Sequence, residues 1–256
     1  MIAPRASTAP SNSDPLAARI AREVRRFVDA ALITRAERTN AEPDGVRTRR
    51  RVIVALTLAA GAATLGWALS IQPGDPLVVP ATLGGAAVWT VGALASGPLR
   101  LGSGVSRHGD ASRGVVQGII LGAALLAVFL AGAVVVSQIP ILRGPVEGLL
   151  NHARFGSLGI VALVTAITGA AEELFFRGAA YAALPPRFNG IGSALLYASS
   201  TLFSSVPLLT FAAFCLGLLT AAQRRVTGGV LGPIASHLTW SLGMLFLMPW
   251  TFSLGG

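Results

Sequence analysis

The chain has 256 residues, of which 53% are hydrophobic and 12% are charged, and its mean hydropathy is +0.66. A soluble globular domain of this size does not need so much apolar sequence. Several apolar runs approach or exceed the ~20 residues with which a helix crosses a bilayer. The composition therefore predicts an all-α fold, a polytopic bundle of transmembrane helices, and excludes a soluble domain.

The net charge of +9 is concentrated near the N-terminus, because eleven of the 20 arginines precede Val52 and the chain has no lysine. Residues 1–13 are rich in Ala, Pro and Ser and are expected to be disordered. Asp14-Pro15 then has the pattern of an N-cap followed by a first-turn proline. A stripe of apolar side chains recurs at helical spacing after it, between arginines: Leu16, Ile20, Val24, Phe27, Val28, Ala31 and Leu32.

A basic amphipathic helix of this kind usually lies on an anionic membrane surface. Arginines also attract the phosphates of nucleic acids. The segment has no interleaved aromatic side chains on which bases would stack, so membrane lipids are the predicted partner and nucleic acid is not. Residues 40–51 are expected to be a charged linker. The predicted division is thus an Arg-rich cytoplasmic tail at 1–51 and a transmembrane bundle at 52–256.

About seven spans are predicted within the bundle. Their approximate bounds are 52–71, 77–96, 114–137, 158–181, 190–206, 208–222 and 229–248. The loops on the side of the tail hold more arginines than the loops on the other side. Since positive residues stay on the cytoplasmic side, a multi-pass protein of the cell membrane with a cytoplasmic N-terminus is expected, and seven spans place the C-terminus outside.

The fourth span holds three charged residues, Glu172, Glu173 and Arg177. Each charge near the middle of a bilayer costs roughly 2.5–3.5 kcal/mol on insertion scales, so such residues indicate function by default. Glu173 precedes Arg177 by four residues, the favourable order for a helical ion pair. Glu172 lies about 100° away around the axis, which makes Glu172 the candidate general base and Glu173–Arg177 its structural support. A purely structural charge cluster near the interface is the alternative.

His237 lies in the last predicted span. An intramembrane histidine can donate a hydrogen bond, shuttle a proton or bind a metal, or simply be satisfied by a backbone carbonyl. Two ionisable groups in separate helices are expected to share one polar pocket, which would bring His237 to Glu172. His108 and His152 lie in polar loops and are expected to be exposed. The lone cysteine, Cys215, is expected to be a small buried apolar side chain.

The chain has no HExxH or similar zinc spacing and cannot build a cysteine metal site. A zinc site would have to use Glu172, Glu173 and His237, and it is not expected. No cofactor is therefore predicted.

Two motifs carry a family resemblance. Glu172-Glu173-x-x-x-Arg177 lies in one membrane helix, and Pro233-x-x-x-His237-x-x-Trp240 follows. Over about residues 115–250 the pattern resembles the CPBP family, which includes CAAX prenyl protease 2 (Rce1-like) and bacteriocin-processing or immunity proteins. The resemblance implies an intramembrane endopeptidase in a bacterial membrane, acting on a membrane-associated peptide or protein. It also implies that Glu172 activates the attacking water and that His237, with Ser241, stabilises the oxyanion without a metal.

The chain departs from the family pattern in two places. Pro207 stands where a second motif opened by Phe203 would have its histidine, and Ser241 stands where the last motif would have asparagine. A catalytically impaired pseudoprotease, acting as a membrane binding or immunity protein, is therefore the alternative to an enzyme. A small transporter that uses Glu172 for proton coupling is a third interpretation.

Overall fold

The structure is a computed structural model that describes residues 16–33, 44–102, 104–105, 111–112, 114–154, 157–204 and 206–254. The predicted disorder of 1–13, the predicted helix start at Asp14-Pro15 and the expected exposure of His108 lie outside these residues, and so does the side chain of His152. The described residues are mostly helical.

The helices in chain order are α1 (Leu16–Val28), a π-helical turn (Asp29–Ile33), α2 (Asp44–Ser70), α3 (Val78–Ser96), α4 (Val115–Ser137), α5 (Pro140–Arg154), α6 (Leu158–Glu173), a π-helical segment (Leu174–Ala180), α7 (Tyr181–Ala183), α8 (Asn189–Ser200), a 3-10 turn (Leu202–Ser204), α9 (Pro207–Thr227) and α10 (Leu231–Leu254). Two short strands, β1 (Gly104–Val105) and β2 (Ala111–Ser112), form an antiparallel pair between α3 and α4.

Six helices in the described part of the chain are long and apolar enough to cross a membrane. They are Gly45–Ser70, Val78–Ser96, Val115–Ser137, Leu158–Ala183, Pro207–Thr227 and Leu231–Ser253. The predicted all-α, polytopic transmembrane bundle is thus confirmed. The fourth of these spans combines α6, the π-helical segment and α7 into one continuous helix.

The predicted span at 190–206 is wrong in its length. Helix α8 has 12 residues and ends at Ser200, so it is about 18 Å long, less than the ~30 Å of the hydrocarbon core. The 3-10 turn that follows packs closely against α2, because a Cβ on Gly66 would lie 2.8 Å from Cβ of Phe203. Apolar composition alone did not show where the helix stops, before the break at Pro207.

The helix of the first span begins earlier than the predicted bound of 52. Helix α2 begins at Asp44, so it runs through the expected linker. Its arginines bind the ends of other helices: Arg50, which is 0% exposed, places Nη1 3.3 Å from Ser96 Oγ, and Arg51 Nε donates to the Ala183 carbonyl at 3.0 Å. Cations at helix C-termini are favourable, which is why this charged sequence is helical. The segment between the predicted spans at 114–137 and 158–181, expected as a loop, likewise contains a helix, α5.

One end of the bundle gathers arginines from distant parts of the chain, and we call it the arginine end. It contains the start of α2, the ends of α3, α7 and α9, and the start of α10. The backbone joins these elements, since Val230 N–H donates to the Arg100 carbonyl at 3.1 Å and Leu231 N–H to the Leu101 carbonyl at 3.1 Å. The opposite end holds the loop between α2 and α3 together with α5.

Small residues allow the helices to pack closely, as is usual in membranes. Helices α4 and α10 run parallel, with Gly118 and Gly122 against the Ser236 turn and Gly243 against Leu126. The main core cluster lies where α3 and α8 meet the π-helical segment that follows α6. Its aromatic centre is Trp89, whose ring centroid is 4.8 Å from that of Phe175 and 5.1 Å from that of Phe176.

Gly61→Ala tests the packing of α2 on α3. A Cβ at Gly61 would overlap the buried ring of Trp89, and overpacking of this kind costs about 1–3 kcal/mol. We expect a lower unfolding temperature in detergent, measured by circular dichroism. Gly84→Ala on α3 is the matched control, because a Cβ there meets no atom within 4 Å. Equal effects of the two substitutions would contradict the packing described here.

Candidate functional site

The two glutamates lie at the end of α6, where the helix changes its winding. The π-helical segment Leu174–Ala180 begins directly after Glu173, and the N–H of Tyr181 donates to the carbonyl of Phe176, five residues earlier. π-Helical turns inside α-helices are rare and occur frequently at functional sites. The change in helical pitch determines the position of the Arg177 side chain relative to the two carboxylates one turn earlier.

Glu173 binds two partners inside the bundle. Its Oε1 lies 3.2 Å from Nη1 of Arg177 and 2.9 Å from Nδ1 of His237. Glu173 and Arg177 are both 0% exposed. An ionised carboxylate only accepts hydrogen bonds, so Nδ1 of His237 carries the donated hydrogen. The other ring nitrogen, Nε2, is thereby directed away from Glu173.

Glu172 faces that second nitrogen. Its Oε2 lies 3.9 Å from Nε2 of His237 and accepts a hydrogen bond from the Tyr197 hydroxyl at 2.6 Å. A separation of 3.9 Å is too long for a direct hydrogen bond but suits one small polar molecule bound to both groups. The structure thus brings together Glu172 and His237, which the sequence places in separate helices.

Four ionisable side chains meet inside the bundle: those of Glu172, Glu173, Arg177 and His237. The two carboxylates and the guanidinium carry a formal net charge of −1, and a buried uncompensated charge is costly. A carboxylate and an imidazole placed this close are suited to general acid–base chemistry.

Neighbouring side chains fix this arrangement. Gly169 on α6 makes room for the imidazole, because a Cβ there would lie 3.3 Å from Cδ2 of His237. The guanidinium carbon of Arg177 stands 4.9 Å from the ring centroid of Tyr197, a favourable cation–π distance. Tyr197 therefore contacts the site through both its ring and its hydroxyl.

Ser241 lies one turn after His237 on α10 and hence on the same helix face. Its Oγ is buried, and among the described residues it has no hydrogen-bond partner.

Phe203 is 68% exposed. Pro207 starts α9 away from the arginine end, since the next residue, Leu208, packs against the apolar cluster that contains Phe252 near the end of α10.

Two features of the site were not predicted from the sequence. The hydrogen bond of Tyr197 to Glu172 was missed, although Tyr197 is one of only two tyrosines in the chain and a buried hydroxyl usually needs a partner. The contact of Glu173 with His237 was also missed, because helical spacing assigned Glu173 to Arg177 alone. No sequence pattern within one helix indicates such a contact between helices.

Metal binding was not expected, and this stays a prediction. Across the described residues, no group of three His, Cys, Asp or Glu side chains has the arrangement of a metal site. Oε1 of Glu173 is already in contact with Arg177 and His237. Cys215 is a free thiol, partly buried in α9, and no contact ties it to the glutamates.

A cavity of about 260 Å³ reaches Glu172. Apart from Leu149 on α5 and Leu245 on α10, its walls come from α2, α3 and α6, including Thr64, Leu69, Val78, Thr82, Trp89, Val161, Thr165 and Thr168. These residues lie on the side of Glu172 away from the arginine end. The chain on the other side of Glu172 is closely packed, since Phe175 and Phe176 are 0% exposed.

Comparison with known proteins bears on this region. Residues 154–243 match the model of a family described as type II CAAX prenyl endopeptidase Rce1-like. The matched segment contains both glutamates, Arg177, His237 and Ser241, and the family resemblance predicted from the two motifs is confirmed. No curated protein and no solved structure matches the chain.

Arg177→Met tests the ion pair. It removes the guanidinium and leaves the Glu173 carboxylate buried beside His237 without a cationic partner. Breaking a buried pair in this way costs about 3–5 kcal/mol. We expect a large fall in the unfolding temperature. Arg143→Met is the control, because Arg143 and Glu147 form an exposed pair, with side chains 44% and 45% exposed, and such pairs contribute about 0–1 kcal/mol. A similar small effect of both substitutions would show that Arg177 does not stabilise the site.

Proposed function

We propose that the chain is an intramembrane endopeptidase, because residues 154–243 match the model of the family described as type II CAAX prenyl endopeptidase Rce1-like. It hydrolyses a peptide bond in a membrane-associated peptide or protein, with water activated by Glu172. The observation that carries the proposal is the 3.9 Å approach of Glu172 Oε2 to His237 Nε2.

In this mechanism a water molecule binds between Glu172 and His237. Glu172 accepts a proton from the water while the water oxygen bonds to the substrate carbonyl carbon. The carbonyl oxygen then becomes an oxyanion. His237, which in this mechanism carries a hydrogen on each ring nitrogen, donates through Nε2–H to that oxyanion, and the hydroxyl of Ser241 donates a second hydrogen bond to it. When the carbon–nitrogen bond breaks, Glu172 returns the proton to the departing amine.

Glu173, Arg177 and Tyr197 position these groups. Glu173 holds the imidazole through Nδ1, so that Nε2 remains directed toward Glu172, and Arg177 balances the charge of Glu173. The Tyr197 hydroxyl holds one oxygen of Glu172 in place by donating a hydrogen bond to it. We assign these three residues a supporting role, because none of them lies between Glu172 and Nε2.

The distribution of arginines supports an orientation in the membrane. The arginine end faces the cytoplasm in this proposal, as positive residues do in most membrane proteins, and the N-terminal tail lies on the same side. Helix α1 leaves Leu16, Ile20 and Val24 71%, 55% and 55% exposed beside its arginines, which suits the surface of an anionic cell membrane, bacterial by resemblance.

A binding protein without catalysis is the second candidate. Pro207 replaces the expected histidine, and the Tyr197 hydroxyl already holds the oxygen of Glu172 that faces His237. In this version the polar pocket grips an intact peptide or partner protein. Stable association with an uncleaved partner, unaffected by Glu172→Gln, would support this function.

Glu172→Gln tests the hydrolase. The amide cannot accept the proton from water, so we expect cleavage to fall by about 10²–10⁴-fold. The assay uses purified protein in liposomes and a library of internally quenched apolar peptides. Glu147→Gln, on the exposed face of α5, is the control that should retain activity. Wild-type protein that cleaves nothing, or Glu172→Gln protein that cleaves equally well, would contradict the proposal.

Tyr197→Phe tests the support of Glu172. It keeps the ring above Arg177 but removes the 2.6 Å hydrogen bond. A bond to a charged group contributes roughly 1.5–3 kcal/mol, so we expect kcat to fall by roughly 10–100-fold. Tyr181→Phe is the matched control, because the other tyrosine packs its ring near Arg224 and not at the glutamates. If both variants keep full activity, Tyr197 does not support the base.

A further inference from the structure

An apolar groove runs along the outer face of α2 and α3. We propose that this groove binds one acyl chain of an anionic phospholipid and that Arg49, at the mouth of the groove, binds the phosphate of the same molecule. The groove shares no lining residue with the cavity that reaches Glu172. It is therefore a lipid site separate from the proposed site of hydrolysis.

The walls of the groove suit a hydrocarbon chain. Its volume is about 540 Å³, and its apolar sides include Ile53, Leu56 and Ala60 from α2 and Val88, Val91 and Ala95 from α3. The two helices approach closely at the floor, where a Cβ on Gly92 would overlap the side chain of Thr57. Leu56 and Val91 are 67% and 66% exposed. An acyl chain laid between them covers apolar surface without burying a polar group.

The position of the groove along the helices places the chain in one leaflet. Both helices are membrane spans. The lining residues 53–60 follow directly after Arg51 of α2, and the lining residues 87–95 lie in the last half of α3, so the groove begins at the arginine end. At 1.5 Å per residue it is about 10 Å long, less than half of the ~30 Å hydrocarbon core. It therefore holds part of a single acyl chain whose headgroup lies at the arginine end.

Arg49 provides the charge for that headgroup. It precedes Ile53 by four residues and Leu56 by seven, so it lies on the groove face of α2, about 6 Å beyond Ile53 along the axis. Arg49 is exposed, and the described residues give it no hydrogen bond or ion pair, whereas Arg50 and Arg51 contact the ends of other helices. Basic side chains between membrane helices bind anionic lipid headgroups, and a phosphate at the mouth of the groove is within the reach of this guanidinium.

Contacts beside the mouth hold the two helices in this arrangement. Arg50 is 0% exposed. Its Nη1 lies 3.3 Å from Oγ of Ser96, and its Nη2 lies 3.5 Å from the carbonyl oxygen of Pro98. These contacts tie the start of α2 to the end of α3, so the groove is formed by the protein itself. A preformed site loses little conformational entropy when it binds its ligand.

The charge of the lipid tests the role of Arg49. Protein in a neutral detergent is titrated with phosphatidylglycerol or with phosphatidylcholine of the same acyl chains, and native mass spectrometry gives the dissociation constant of the first bound lipid. We expect the wild-type protein to bind phosphatidylglycerol about fivefold more tightly and Arg49→Gln to remove this preference. Arg225→Gln is the matched control, because it removes an exposed charge at the same end of the bundle but on α9. Equal affinities of the two lipids for the wild-type protein, or equal effects of the two substitutions, would overturn the proposal.

Filling the groove tests the binding of the acyl chain. Ala60→Trp places an indole among the lining residues and is expected to weaken the binding of both lipids by about tenfold, because the chain loses its apolar contacts. Ala55→Trp, at an exposed alanine on the other side of α2, is the control that should bind both lipids as the wild-type protein does. Unfolding temperatures show that both variants fold. Equal lipid binding by the two variants, or a wild-type dimer that Ala60→Trp abolishes, would overturn the proposal, the second result by assigning the groove to another copy of the chain.

Discussion

A single carboxylate oxygen, Oε1 of Glu173, joins the two halves of the site. It lies within 3.2 Å of Arg177 on its own helix and 2.9 Å from His237 on α10. All three residues are almost fully buried. Each charged or hydrogen-bonding group therefore depends on the other two residues for a partner, because water does not supply one. This contact sets which nitrogen of the imidazole faces Glu172, and the chemistry that we propose depends on that orientation.

The fold places this interaction through close helix contacts and an irregular helix. Gly169 gives the imidazole space against α6, and the π-helical segment after Glu173 alters the position of Arg177. At the arginine end, Arg51 binds the carbonyl of Ala183 at the end of α7, and Arg224 binds the carbonyl of Arg177. A cavity of about 260 Å³ reaches Glu172 from its other side.

Sequence patterns were sufficient for the parts of the structure that depend on apolar length and local spacing. They predicted the all-α bundle, most of the spans and the pairing of Glu173 with Arg177. They did not predict that α2 begins at Asp44. A charged sequence next to an apolar span indicates a linker, and only the folded structure shows that its arginines contact the ends of other helices. The early end of α8 at Ser200 was missed for a similar reason, since apolar composition does not determine helix length.

The site shows the same limit more sharply. Glu172 and His237 were identified as candidates because each is an ionisable residue in an apolar helix. Tyr197 and the Glu173–His237 bond depend on how α6, α8 and α10 pack, and no spacing within one helix encodes that. A family resemblance directed attention to Pro207 as the position of a missing histidine. The structure shows a tyrosine hydroxyl from α8 at the carboxylate.

The most direct test of the central claim is ¹⁵N nuclear magnetic resonance of histidine-labelled protein in lipid. The chain has three histidines, and His237→Gln identifies the signals of His237 by their loss. We predict that Glu173→Gln shifts the Nδ1 resonance of His237 and that Glu172→Gln shifts its Nε2 resonance. If neither substitution changes the signals of His237, the two carboxylates do not flank its ring, and the proposed site is contradicted.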